Sequence, residues 1–199
     1  MPVGSKRDSP FAGAEIIVPG PRLPENEVRD YSQRALSALP LLRDAGCLTT
    51  NMLASLLSCN KKQASSALKN LFFAGLARWV DVGDDGHLFR LWLPAEAKIP
   101  SALEACRMAA LSLFFTKAKI EMPGSAWFSL GTRARFTSGE RNWIIEAPRR
   151  GEQPPGREGY IYIFPTLEEG REMSVEGSYF TADTLLLDGE RLENSIYVK

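Results

Sequence analysis

The sequence has few of the side chains that build metal, redox and acid–base sites. Its 199 residues include three cysteines and one histidine, and Cys47, Cys59 and Cys106 form no CxxC pair. We therefore expect no metal site and no cofactor. An odd number of cysteines suits a reducing cytoplasm better than a secreted disulfide framework.

The sequence also lacks a membrane-spanning or secretory segment. It contains no run of about 20 apolar residues, the length that crosses a bilayer. The N-terminal stretch MPVGSKRDSP has no apolar signal-peptide core. We therefore expect a cytoplasmic protein that makes no contact with a membrane.

An excess of charge of one sign is absent from the whole chain but present locally. Lysine plus arginine total 24 and aspartate plus glutamate total 24, so no overall field attracts nucleic acid. Residues 28–93, however, hold eight basic and five acidic residues. This part is mildly basic, and a local patch is sufficient for DNA contact.

Familiar enzyme motifs are missing as well. The sequence has no glycine-rich phosphate loop, no HExxH, and no histidine near a serine or cysteine nucleophile. We expect that the protein is not an enzyme, with a metal-dependent nuclease as the weaker alternative.

Residues 47–93 carry the strongest local signals. Thr49 or Thr50 can cap a short helix that runs through Leu57. Asn60 can cap a second helix, with Gln63 as its capping-box partner and Gly75 at its end.

Two short strands are predicted after these helices, over 76–82 and 88–93, joined by Gly83-Asp84-Asp85-Gly86. An aspartate–glycine pair between apolar runs favours a hairpin. A preceding helix is predicted over Glu27–Ala45, where Pro40 should produce a kink or divide the helix into two pieces. The order of these elements predicts a winged helix-turn-helix domain over residues 27–93.

The second helix of this domain separates apolar and polar residues onto opposite faces. Ala64, Ala67, Leu68, Leu71 and Phe72 recur at helical spacing and should face the core. Lysine and serine on the other face can bind phosphates, and serine or glutamine can reach base edges. The alternative is an ordinary solvated face. The predicted contacts to double-stranded DNA are Lys61, Lys62, Gln63, Ser65, Ser66, Lys69, Asn70, Arg78 and Arg90.

The hairpin tip does not fit this prediction well. Asp84 and Asp85 would repel phosphates, and salt screens that repulsion without reversing it. We therefore keep a second interpretation, in which the winged helix is a protein-interaction or dimerisation module and a protein partner contacts the acidic hairpin.

The flanking segments divide the chain further. Residues 1–26, rich in proline, predict a flexible N-terminal arm or an extended strap. Residues 94–100 predict a linker. A helix over Ser101–Lys119, capped by Ser101 and Glu104, is apolar nearly all round. It should either be buried within the chain or form a homodimer interface.

The remainder, from Ser125, changes to the pattern of strands. Aromatic and β-branched residues dominate SAWFSL, RARFTS, NWIIEA, GYIYIF, SYFTADTLLL and SIYVK. With the preceding helix they predict an α+β domain over residues 101–199, mainly β. The fold class is therefore α+β, with an N-terminal winged helix-turn-helix.

Asp183 in TADTLLL, followed by Lys199, is faintly similar to the PD-(D/E)xK nuclease arrangement, in which two acids and a lysine surround a divalent metal. The second acid would fall at Tyr197, which cannot bind a metal in this way. A nuclease-like domain, if present, is expected to be degenerate.

Two stretches resemble a known family. The run LTTNMLASLL…ASSALKNLFFAGLARWV…FRLWL resembles the winged helix of the replication-relaxation family of plasmids and integrative elements. YFTADTLLL is similar to that family's FxPDALL strand, with Ala182 where proline is usual. The resemblance implies a DNA-binding accessory protein of replication, conjugative transfer or transcriptional control on a mobile element.

Overall fold

The computed structural model describes residues 9–22, 32–84, 88–189 and 191–199, and within them the chain is mixed α+β. The N-terminal half contributes strands and helices in the order β1 (Ile16–Pro19), α1 (Gln33–Ala45), α2 (Thr50–Leu56), α3 (Lys61–Phe73), β2 (Ala77–Gly83) and β3 (Leu88–Pro94). The C-terminal half contributes α4 (Ala102–Glu121), β4 (Ala126–Ser129), β5 (Arg133–Ser138), β6 (Arg141–Glu146), β7 (Tyr160–Phe164), α5 (Leu167–Met173), β8 (Tyr179–Ala182), α6 (Asp183–Leu187), α7 (Leu192–Ser195) and β9 (Tyr197–Val198).

The helices of the first half begin where their caps predict. Thr49 caps α2, and Asn60 and Gln63 form the reciprocal capping box of α3. Gly75 follows α3 with a φ of 71°, a left-handed conformation that glycine adopts at low cost. These boundaries confirm the predicted helices.

The first helix is shorter than predicted at its N-terminal end. Ser32 has extended backbone angles and its side chain accepts from the amide of Ala35, so α1 begins at Gln33 rather than Glu27. Residues 27–31 lie outside the described part of the chain. Pro40 sits on the exposed side of one uninterrupted helix, which excludes the two-piece alternative.

Strands β1, β2 and β3 form an antiparallel sheet in that order. An isolated bridge between Leu48 and Trp92 ties the segment before α2 to β3. Residues 85–87 at the hairpin tip lie outside the described residues.

The strap, defined as residues 9–22, begins with a turn at residues 9–12 and continues into a strand. Its strand β1 pairs with β2 from Ile16 opposite Gly83 to Pro19 opposite Val80. Phe11 is buried and packs edge-on against Phe89 of β3, with ring centroids 5.1 Å apart. Residues 16–19 are thus extended, and residues 9–12 form a turn that places Phe11 in a buried position. Residues 1–8 and 23–26 of the predicted arm lie outside the described residues.

Helix α4 is the shared centre of the molecule. It packs on α1, α2 and β2 on one side and on β5, β6, α6 and α7 on the other. Its residues Ala109 to Thr116 are all buried, and one apolar cluster runs through both halves of the chain. Leu103 and Ile120 are its exposed large apolar side chains. The predicted homodimer through Ser101–Lys119 would therefore have little apolar surface on this helix.

The C-terminal sheet has six strands in the order β4-β5-β6-β7-β8-β9. The first three are antiparallel, β6, β7 and β8 run parallel, and β9 returns antiparallel to β8. This mainly β part was predicted, with one error. TADTLLL is not one strand, because β8 ends at Ala182 and α6 begins at Asp183.

The turn from β8 into α6 is fixed by a buried ion pair. Arg149 and Asp183 have no exposed side-chain surface, and Arg149 Nη1 lies 2.7 Å from Asp183 Oδ2. Arg149 also donates to the carbonyls of Phe11, Ala147 and Ile163. Ser9 donates to the same Asp183 oxygen at 2.6 Å. The strap is thereby anchored to the C-terminal sheet.

No helix in the described residues is long and apolar enough to cross a membrane.

Candidate nucleic-acid interface

Helix α3 presents a polar face because its apolar residues are used for packing. Ala64, Ala67, Leu68, Leu71 and Phe72 are buried against the rest of the N-terminal half, as their spacing predicts. Contacts with α1, α2 and β2 hold the helix from behind. The opposite face is therefore directed to solvent on a rigid support.

The exposed residues of that face are Lys61, Lys62, Ser66 and Lys69, with Ser65 half-buried beside them. Within the described residues, none of the three lysines forms an ion pair. No acid of the described residues neutralises these lysines, so their positive charge is available to an anion. We refer to Lys61, Lys62, Ser65, Ser66 and Lys69 as the α3 face.

Two other predicted contacts on α3 have structural partners. The carboxamide of Gln63 accepts from the amide of Asn60 at 3.3 Å as part of the capping box. Asn70 donates through Nδ2 to Ser32 Oγ at 3.1 Å, which joins α3 to the cap of α1. These side chains hold the helix in place, so direct base contact would require them to exchange partners.

The two predicted arginine contacts lie on the hairpin. Arg90 binds Asp81 through two hydrogen bonds of 2.8 and 2.7 Å, and its guanidinium lies 4.8 Å from the centre of the Trp79 ring. Hydrogen bonding to Asp81 raises the pKa of Arg90, and the neighbouring carboxylate offsets the positive charge of the guanidinium. Arg78 is half-buried, with a buried Nε that has no hydrogen-bond partner in the described residues.

The acidic hairpin tip is described only in part. Asp84 is exposed, whereas Asp85 and His87 lie outside the described residues. Of the predicted DNA contacts, the lysines of α3 therefore lie together on one face, whereas Arg90 is bound to the carboxylate of Asp81.

Asp183 and Lys199, the two residues considered for a nuclease site, are held by different partners. Burial raises the pKa of Asp183, and the Arg149 guanidinium opposes that rise. Lys199 is exposed and donates to the carbonyl of Arg171. Across the described residues, no three histidine, cysteine or acidic side chains cluster as metal ligands would. Asp183 is instead fully buried and held by Arg149 and Ser9.

Arg149 was not anticipated from the sequence. It stands in the proline- and glycine-rich segment between β6 and β7, where arginines are usually solvated. Two of its partners, Asp183 and Phe11, are 34 and 138 residues away, so no local pattern reveals them.

Comparisons with protein-family models, with curated proteins and with solved structures found no match. The interpretation of the site therefore rests on the residues themselves.

Proposed function

We propose that residues 32–94 form a winged helix-turn-helix that binds double-stranded DNA, with α3 in the major groove. The succession of three helices and an antiparallel hairpin supports this, because the motif places its second helix-turn-helix helix in the groove. The Leu48–Trp92 bridge adds rigidity between the hairpin and the helices.

The observation that carries the proposal is the charge of the α3 face. Three lysines that have no acidic partner among the described residues stand beside two serine hydroxyls on one side of a helix whose other side is buried. Lysine and serine are phosphate-binding side chains. Since these groups are held on a packed helix, binding would need little reorganisation.

The finer role that we propose is that of a mobile-element accessory protein in replication, transfer or transcriptional control. This role follows from the resemblance of Leu48–Leu93 and Tyr179–Leu187 to the replication-relaxation family. The three free thiols, of which Cys47 and Cys106 are buried, are compatible with the proposed cytoplasmic location.

The test is duplex binding across a salt series. Wild-type protein should bind a fluorescently labelled duplex of random sequence, with an affinity that falls steeply between about 50 and 200 mM salt. Lys62→Ala with Lys69→Ala should weaken binding to every sequence tested. The double variant should also lower the salt slope by about two, because each lost phosphate contact removes roughly 0.9.

The matched control is Lys98→Ala with Lys119→Ala, which removes the same charge from exposed positions outside α3. It should retain most of the affinity and the slope. Equal losses in the two double variants would show that binding is nonspecific attraction to net charge and would overturn the assigned face.

A second candidate is supported by the hairpin. Arg90 is neutralised by Asp81, Asp84 is exposed, and Leu88 at the start of β3 is also exposed. These features suit a protein partner better than phosphates. The candidate gains if wild-type protein fails to bind duplex at low salt, and Leu88→Ser should then weaken capture of that partner.

A further inference from the structure

The outer face of the C-terminal sheet carries a continuous row of aromatic, apolar and basic side chains. Phe128 of β4 is in register with Arg135 of β5, Arg135 with Ile144 of β6, and Ile144 with Tyr160 of β7. Residues opposite each other on neighbouring strands share a face. We call these four residues the outer row.

The other face of these strands is buried. Trp127, Phe136 and Trp143 stack on one another or on Phe114 of α4, and Ile145 is fully buried. Helix α5 packs on β7 and β8, where Tyr162, Phe164 and Phe180 form a second small apolar cluster. The outer row lies beside this covered part of the sheet.

Exposure of the row is greatest at Phe128, whose side chain is 64 % exposed. Arg135 is exposed, and Ile144 and Tyr160 are half-buried. With strands about 4.8 Å apart, the four positions span roughly 14 Å. A sheet surface of this width can accommodate two or three stacked bases.

The charges around the row are mainly positive. Arg135 forms no ion pair within the described residues. Arg157, fully exposed, lies with Nη1 3.5 Å from the Tyr160 hydroxyl. Arg133, two residues before Arg135 on the same face of β5, pairs with Glu146 at 4.0 Å. Arg133, Arg135 and Arg157 therefore outnumber Glu146 along the row.

We propose that the outer row binds single-stranded nucleic acid, with bases stacked on Phe128 and Tyr160 and phosphates bound by Arg135 and Arg157. Exposed aromatic rings interleaved with arginines are the chemistry by which open sheets bind single strands. Aromatic residues and arginine are also enriched in protein interfaces, but arginines without a carboxylate partner favour a polyanion, and the test below separates the two. A duplex is less favoured, because stacking on Phe128 and Tyr160 requires unpaired bases. The proposal is independent of duplex binding by α3.

The experiment is anisotropy with fluorescein-labelled oligothymidylate and oligouridylate, which separates DNA from RNA as the bound strand. Phe128→Ala and Phe128→Leu should each weaken binding at least about fivefold, because stacking on one ring contributes about 1–3 kcal/mol. Phe128→Tyr should retain binding, since the ring is kept. Arg135→Gln should lower the salt slope by about 0.7.

The controls are Val198→Ala and Arg191→Ala. Val198 is 67 % exposed on β9 at the opposite edge of the sheet, and Arg191 is exposed before α7. Both variants should bind single strands as wild type does. The Lys62→Ala, Lys69→Ala double variant should lose duplex affinity and keep single-strand affinity.

Ultraviolet cross-linking to oligothymidylate provides a second readout, with the adduct expected on the peptide that contains Phe128 or Tyr160. Absence of single-strand binding at low salt would overturn the proposal. Equal binding by Phe128→Leu and wild type would overturn it as well. Leucine keeps the apolar surface but lacks the ring, so base stacking would not be the role of Phe128.

Discussion

Cys47 lies fully buried near the junction of α1 and α4, with its Sγ 3.0 Å from Ser112 Oγ. Burial raises the pKa of this thiol to about 12, and burial also raises that of Cys106 to about 11. Cys59 is only half-buried. Since the thiolate is the reactive form, the three thiols should differ sharply in reactivity.

At pH 8 we expect native protein to react with a thiol reagent at Cys59 alone, and at all three cysteines after unfolding in urea. Cys59→Ala should leave the native protein unlabelled, which serves as the control. Rapid labelling of Cys47 in that variant would contradict the buried position.

The same shifts give a pH dependence of stability. In the unfolded chain a thiol has a pKa of about 8.5. In the folded protein the pKa of Cys106 is about 11 and that of Cys47 is about 12. Their stabilising contribution is complete below pH 8.5 and is lost as pH rises toward the folded values. Each thiol accounts for at most about 1.4 kcal/mol per pH unit in that window. The urea midpoint should therefore fall from pH 8 to pH 10.

Among the structural elements, the strap depends most on distant residues. Strand β1 of the strap is held by backbone pairing with β2. The N-terminal end of the strap is held by hydrogen bonds of Ser9 to Asp183 and of Arg149 to the carbonyl of Phe11. A buried guanidinium that loses its anion is costly, because neither water nor another acid compensates it.

We expect Asp183→Asn to lower the free energy of unfolding by about 3–5 kcal/mol, measured by urea denaturation. Hydrogen exchange at the amides of Phe11 and Ala12 should accelerate at the same time. The matched control is Glu193→Gln, which breaks the exposed pair with Arg191 and should change stability little. Similar losses in the two variants would show that the buried pair is not what holds the strap.

The elements that sequence reasoning predicted are those specified by neighbouring residues. The caps at Thr49, Asn60 and Ser101 act within three residues, so their helices could be placed from local pattern alone. The Leu76–Leu93 hairpin is similar, because apolar runs and a glycine turn define it. The α3 face follows from helical spacing in the same way.

The elements that could not be predicted depend on long-range partners. Strand β8 gives way to α6 where Asp183 meets Arg149, a contact between positions 34 residues apart. The outer row needs the register of four strands, which no single stretch contains. The partners of Arg90 and Asn70 likewise appear only once the hairpin and α1 are in place.

At the scale of the whole molecule, α4 should make the two halves unfold as one cooperative unit. It packs on the helices of the first half and on the sheet of the second, and the principal apolar cluster is continuous across it. The stability of one half should therefore depend on the other, despite the different sheets on which they are built.

Tryptophan fluorescence can test this coupling, because Trp79 and Trp92 report on the first sheet and Trp127 and Trp143 on the second. A variant with Trp127→Phe and Trp143→Phe should show the same urea midpoint by fluorescence as by circular dichroism. The reciprocal variant with Trp79→Phe and Trp92→Phe should do so too. Two separate midpoints within one variant would mean that α4 does not couple the halves.

The anchored strap also has a consequence for the order of synthesis. Ser9 and Phe11 leave the ribosome long before their partners Asp183 and Arg149, which follow 174 and 138 positions later. At translation rates of about 5–20 residues per second, Ser9 waits roughly 10–35 s for Asp183. During that interval β1 can already pair with β2, and Phe11 can contact Phe89. The contact of Phe11 with Arg149 in the C-terminal half has not yet formed. The nascent chain therefore offers chaperones and proteases a defined early binding segment that the finished protein conceals.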